Sequence, residues 1–207
     1  MEIRRLDNGL FEANTWLVAE NGLCTVIDCG SPVPDILAAA SAMEARITDI
    51  VLTHGHVDHV WTLEALKAAT HARISLHSQE RALLLDADMN CFSDVGASLS
   101  DTFPMPDQYL SDGETLETGG PSFLILHTPG HTDGCICLLT GKHLFTGDTL
   151  FRRSVGRTDL PTGNADLLFR SIRERLYPLA PDTVVHPGHG ADTTIDEERR
   201  LNPHVRA

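Results

Sequence analysis

The stretch "LTHGHVDHV", residues 52–60, narrows what this chain can be more than any other. It places His54, His56, Asp58 and His59 within six positions. An apolar, strand-like run (Ile50, Val51, Leu52) precedes it, and a helix-like run (Leu63, Ala65, Leu66) follows. An isolated histidine is more often a packed or surface residue, but four metal-binding side chains at a strand-to-helix junction predict a metal site. His54 and His56, two apart in an extended turn, can point both imidazoles at one ion. Asp58 and His59 are displaced from that pair and suit a second ion nearby. The start of the following helix also favours the Asp58 anion.

The remaining ligands must come from other strand ends. "LHTPGHTDG" offers His127 and His131 after the strand "FLIL"; "FTGDTL" offers Asp148 after "HLF"; "VVHPGHG" offers His186 and His189 after "TVV". Each of these loops carries a glycine beside the candidate ligand, where a backbone can turn tightly against a bound group. A His/Asp donor set suits zinc, iron or manganese better than thiolate-loving metals. A structural zinc more often uses cysteines in a closed shell.

The five cysteines do not supply such a shell. Cys135 and Cys137 form C-x-C inside the strand-like "CICLLT", and an odd count in a chain of 207 residues argues against a disulfide framework. Core packing is the expectation for that pair. The formal charge of −13 argues against nucleic acid as the main partner. No apolar run reaches the roughly 18 residues of a membrane span, and "MEIRRLDNGL" lacks the apolar segment of a secretory signal. A cytoplasmic protein without a membrane or nucleic-acid partner is therefore expected. No interface signal fixes an oligomeric state.

Strand and helix alternate through the first half. "NTWLVAE" and "LCTVIDCG" read as strands joined by an Asn21-Gly22 hairpin turn. Residues 34–45 read as a helix with Pro34 in its first turn. "ITDIVLT" and "ARISLHS" are strands, "LEALKAAT" and "SQERALLLDA" helices. Residues 88–108 show no period; a loop of that length predicts a functional cover or disorder. Strands return at "SFLILHT", "CICLLT", "KHLFTG" and "DTVVHPGHG". An Arg-rich loop spans 151–163, and the helix "NADLLFRSIRERLY" follows with Asn164 as its N-cap. No composition shift marks a boundary, so residues 1–207 are read as one domain.

With these residues assembled, the chain resembles the metallo-β-lactamase superfamily. The pattern T-H-x-H-x-D-H stands at 53–59, the later histidine is His131 in "PGHTDG", the Gly-Asp is Asp148 in "TGDT", and the final Gly-His is His189 in "PGHG". The resemblance implies an α/β fold, a four-layer αββα sandwich with the site at one edge of two sheets. It implies two divalent ions, with zinc first and iron or manganese as alternatives. His54, His56 and His131 would hold one ion, Asp58, His59 and His189 the other, and Asp148 would bridge them. His127 and His186 match no ligand position and are expected to pack or to support a ligand; His71, His77, His143 and His204 carry no pattern.

Within the superfamily, "GDTLFRRSVGRTDLPTGN" and "VHPGHGADTTIDEERRLNP" resemble the short single-domain branch of the glyoxalase II-like enzymes, the hydroxyacylglutathione hydrolase type. That implies a binuclear hydrolase cleaving a small thioester such as S-lactoylglutathione by a metal-bridging hydroxide. Asp58 would be a ligand and could also relay a proton. The longer enzymes have a C-terminal helical region that holds glutathione, which is expected to be missing here after "LNPHVRA". They also carry a lysine and a tyrosine where this chain reads "VGRTDLP". Arg157 there could hold a substrate carboxylate, or could simply pair with Asp159. "TPGHTDGC" and "GRTD" also resemble persulfide dioxygenases, which hold one iron with two His and one Asp; here these would be His54 or His56, His131 and Asp148. "HPGHGADTT" follows the hydrolase form instead. Lactonases share the metal pattern, and a non-catalytic metal-binding module is the reading from a different class.

Overall fold

The computed structural model describes residues 1–100 and 102–206. Two six-stranded sheets form the centre. The first contains β1 (Glu2–Leu6), β2 (Thr15–Glu20), β3 (Leu23–Ile27), β4 (Arg46–Val51), β5 (Arg73–His77) and β6 (Gln108–Leu110), in that spatial order. The second contains β7 (Thr115–Glu117), β8 (Ser122–His127), β9 (Ile136–Thr140), β10 (His143–Gly147), β13 (Val184–Pro187) and β14 (Thr193–Thr194), ordered β14-β13-β10-β9-β8-β7. Between β10 and β13 in sequence lies a small hairpin of β11 (Leu150–Phe151) and β12 (Ser154–Val155).

Period-two alternation explains how the sheets stack. On β2, Trp16 and Val18 face the second sheet, where they meet Phe123, Ile125, Ile136, Leu138 and Phe145. Leu17 and Ala19 face the other way. There they pack with α1 (Val33–Ala42) and α3 (Leu63–Thr70) through Ile36, Ala39, Ala40, Leu63 and Leu66. Behind the second sheet, Cys137, Leu144 and Val185 pack with Leu168 of α5 (Ala165–Ser171), Ile172 and Leu176 of the wider turn that extends it, and Ile195 of α6 (Ile195–Leu201). Three apolar layers thus separate four structural ones, the expected αββα sandwich.

The local expectations have clear physical counterparts. Asn21 and Gly22 both have positive φ, 54° and 76°, and join a pair that closes at Glu20 and Leu23; this is the primed turn that matches strand twist. Asn164 caps α5, its side-chain oxygen accepting from Leu167 N at 3.0 Å. The five cysteines are free; Cys135 and Cys137 are both buried. The helix expected to run on from residue 57 is instead two pieces, a single turn α2 (Val57–Val60) and then α3, bent at Trp61 and Thr62. A single turn sums few peptide dipoles, so neighbouring side chains must hold Asp58.

Residues 80–84 form α4 (Glu80–Leu84), shorter than its apolar run. The segment from 88 to 108, of which Asp101 lies outside the described residues, runs through turns and a 3₁₀ turn at Ser93–Val95 and ends on the first residue of β6. It packs Phe92 into the first core, with Val95, Ala97, Leu99 and Phe103 against it. β1, α6 and the short strands β6, β7, β11, β12 and β14 were not anticipated. For α6 a signal was there: Thr194 caps Glu197 N at 3.2 Å, in the T-x-x-E arrangement of a helix start. Among the described residues no helix is long and apolar enough to cross a membrane.

Candidate metal centre

β10 and β13 are parallel, and β8 runs with them because each is antiparallel to a shared neighbour or parallel in register. Their C-terminal ends therefore share one edge, and β4 ends beside it in the facing sheet. Backbone hydrogen bonds tie the two edges together: Asn14 N to Gly188 O at 2.7 Å, and Ile136 N to Thr53 O at 3.0 Å. The loop after β4 and α2 carry His54, His56, Asp58 and His59. The loops after β8, β10 and β13 carry His131, Asp148 and His189.

All seven converge. The imidazoles of His54, His56 and His131 lie 4.7–4.9 Å apart, ring centre to ring centre, and nearly perpendicular to each other. Asp58, His59 and His189 form a second group: Asp58 Oδ2 is 3.0 Å from His189 Nε2 and 3.6 Å from His59 Nε2. Asp148 stands between the groups. Its Oδ1 is 3.3 Å from His59 Nε2, and its Oδ2 is 3.6 Å from His131 Nε2 and 3.7 Å from His189 Nε2. Each group of three could hold an ion.

The surrounding hydrogen bonds settle which nitrogen faces inward. Thr53 Oγ1 donates to Asp28 Oδ2 at 2.8 Å, so its lone pair faces His54 Nδ1 at 3.0 Å, and that nitrogen carries the proton. His131 Nδ1 donates to the Arg157 carbonyl at 2.7 Å. His59 Nδ1 donates to Asp28 Oδ2 at 2.8 Å. In each case Nε2 is left as an inward lone pair, the tautomer a metal requires. His54 Nε2, His59 Nε2 and Asp148 Oδ1 are buried without a hydrogen-bond partner among the described residues. Such orphaned acceptors are costly unless a cation or water satisfies them. His56 Nδ1 lies 2.9 Å from His131 Nε2, a spacing of two ring nitrogens that calls for a proton or a shared cation between them.

The charges agree. Burial, followed by the neighbouring histidines, holds His54 well below its ordinary value. Burial with His131 lowers His56 to about 3. Both rings are therefore neutral and need release no proton to bind a metal. Burial opposes charge at His59 and His189, but Asp58 and Asp148 outweigh it and push both upward. The two carboxylates favour positive charge in the space between them. The donor set, its tautomers and its electrostatics fit two divalent cations.

Glycine makes the close approach feasible. A Cβ on Gly188 would lie 2.3 Å from Asp148 Oδ1 and 2.7 Å from His59 Cε1. Gly147 has φ +47°, and a Cβ there would strike Thr53 Oγ1 at 2.3 Å.

A cavity of about 500 Å³ opens over the cluster. Phe11, Val57, Phe151, Val155 and Leu160 give it apolar walls, with Cys91, Asp94 and Arg157 as its polar margin. Asp58 and His189 open into it, with side chains 13% and 27% exposed. Arg157 is bidentate to Asp159 at 2.8 and 2.9 Å, on a side chain 61% exposed. Its carbonyl, rather than its guanidinium, touches the cluster. His127 stacks on His77 at 4.3 Å, and His186 lies among Trp16, Phe145 and His143; neither joins the site.

Two buried acids that hydrogen-bond to the cluster or its loops, Asp28 and Glu80, went unrecognised in the sequence. Asp28 has a signal, a carboxylate closing the apolar strand "CTVI". Glu80 has none, since it resembles any acid in a helical run.

A family model described as the metallo-beta-lactamase superfamily matches residues 8–189, and the chain belongs to that superfamily as a metallo-hydrolase. Among its relatives, the hydroxyacylglutathione hydrolase GloC of Haemophilus influenzae is 33% identical, covering 100% of this chain and 99% of its own. The crystal structure of the BLEG-1 B3 metallo-beta-lactamase superposes with a TM-score of 0.93 at 30% identity, covering 100% of both chains. That of TTHA1623 in a di-iron-bound form gives 0.87 at 35% identity, covering 98% of this chain and 100% of the other.

Proposed function

We propose that the chain is a binuclear thioesterase, hydrolysing a small acyl thioester of the S-lactoylglutathione type. The observation that carries this reading is Asp148 between two complete three-residue groups. Divalent ions held there would supply a hydroxide nucleophile at neutral pH and charge to stabilise the developing oxyanion. His54, His56 and His131 would hold one, and Asp58, His59 and His189 the other. GloC, alike over its whole length, supports the thioester. The His/Asp donors suit zinc, and the di-iron relative makes iron an equal candidate.

The chain's own residues do the rest. Burial works to raise the Asp58 carboxyl, but His59 and His189 overcome it and keep it ionised below its ordinary range. It faces the cavity and can take a proton from attacking water. The apolar walls of the roughly 500 Å³ cavity would shield the acyl group from bulk water. Arg157 stands at the rim, where a substrate carboxylate can share or replace Asp159.

The complete second group favours hydrolysis over mononuclear iron oxidation of a persulfide. The test is a substrate panel on protein loaded with two equivalents of zinc or iron. S-lactoylglutathione should turn over with kcat/KM of roughly 10⁴ M⁻¹s⁻¹ or more, at least a hundredfold above a lactone or a penicillin. Oxygen uptake with glutathione persulfide and no thioester cleavage would overturn the reading.

A further inference from the structure

Glu80 is a buried carboxylate, 1% exposed, on the first turn of α4. It has no ion-pair partner among the described residues. A lone buried charge persists only where donors surround it, and all three of its donors belong to the loops that carry the histidine cluster. Glu80 Oε2 accepts from Gly55 N at 2.9 Å. Oε1 accepts from Gly134 N at 2.8 Å and from the Thr132 hydroxyl. Gly55 lies between His54 and His56, and Thr132 follows His131. One carboxylate therefore joins two loops far apart in sequence at the residues adjoining all three ligands.

The fit is close on both sides. A Cβ on Gly134 would lie 2.8 Å from Glu80 Cγ, N and Oε1, so only glycine permits this approach. A Cβ on Gly55 would meet Leu83 Cδ2 at 2.9 Å and Leu84 N at 3.2 Å, which presses the ligand loop directly onto α4.

We infer that Glu80 is a positioning residue that clamps the His54–His56 loop to the His131 loop and sets the metal affinity of the three-histidine group alone. The inference rests on those histidines holding an ion. Glutamine is nearly isosteric, but its amide sets a donor against a backbone N–H that can only donate. Among the described residues no hydrogen bond joins Asp58, His59 or His189 to Gly55, Thr132 or Gly134, so their group should be indifferent to the change.

The test is zinc affinity by chelator competition on metal-free, full-length protein. In His189→Ala the ion that remains sits in the three-histidine group, and there Glu80→Gln should weaken zinc at least tenfold, in the range found when groups supporting metal ligands are removed. In His54→Ala the other group is read, and Glu80→Gln should change its affinity less than threefold. Thr132→Val, which keeps the carboxylate and removes one donor, should weaken the first group by a smaller factor and provides the reading if Glu80→Gln does not fold. Equal weakening of both groups, or a lower melting point of the metal-free protein with zinc affinity unchanged, would overturn the inference while leaving the metal centre intact. Failure of the unaltered protein to bind zinc would overturn both.

Discussion

His56→Ala should lose metal and activity together while the chain stays folded. His56 is buried, its Nδ1 lies 2.9 Å from His131 Nε2, and it precedes the single turn α2 rather than lying within a sheet strand or a long helix. Removing it leaves two imidazoles where three converged. A group that only supports a ligand is worth ten- to a hundredfold in affinity or activity, so loss of a ligand itself should cost on the order of a hundredfold or more in kcat/KM. Metal content per chain should fall with turnover, and the circular dichroism spectrum should be retained. Wild-type turnover in this variant would end the site assignment.

Gly188→Ala should have a comparable effect by a different route. The new methyl would sit 2.3 Å from Asp148 Oδ1, 2.7 Å from His59 Cε1 and 2.9 Å from the Gly147 carbonyl carbon. The backbone cannot retreat, because Gly188 N donates to Gly147 O at 2.8 Å and Gly188 O accepts from Asn14 N at 2.7 Å. The movable atoms are those of Asp148, whose place between the two groups is what makes one site of them. We expect bound metal to fall to one ion per chain or fewer and turnover to fall at least a hundredfold. Overpacking should add a stability loss of about 1–3 kcal/mol, read by urea unfolding of the metal-free protein. Two bound ions with unchanged turnover would show that Asp148 tolerates displacement.

What the sequence made legible was whatever is written locally. The His54–His59 cluster is contiguous, the hairpin at Asn21-Gly22 needs only two residues, and the strands "NTWLVAE" and "SFLILHT" are short apolar runs. The later candidate ligands were readable because His131, Asp148 and His189 each follow a strand and stand beside a glycine, and the family pattern joined them into two groups. The supporting acids were not readable in that way. Asp28 and Glu80 act on residues 25 to 54 positions away, and nothing in their own neighbourhoods records those partners. The loop at 88–108 has no period because it is held by scattered anchors, Phe92 and Phe103 among them, rather than by one face of a helix or strand. The bend at Trp61 and Thr62 was also hidden, since helical composition continues across it. That break lets α2 present Asp58 and His59 to the site while α3 packs on the first sheet.

The most direct measurement is metal analysis of the full chain loaded with zinc or iron and freed of excess, with S-lactoylglutathione hydrolysis followed on the same sample before and after chelation. Two ions per chain, thioester cleavage, loss of that cleavage on chelation and its return on reloading are the results expected if Asp148 and the six residues grouped about it hold two ions. A single tightly held ion, or hydrolysis that survives complete metal removal, would contradict the binuclear centre.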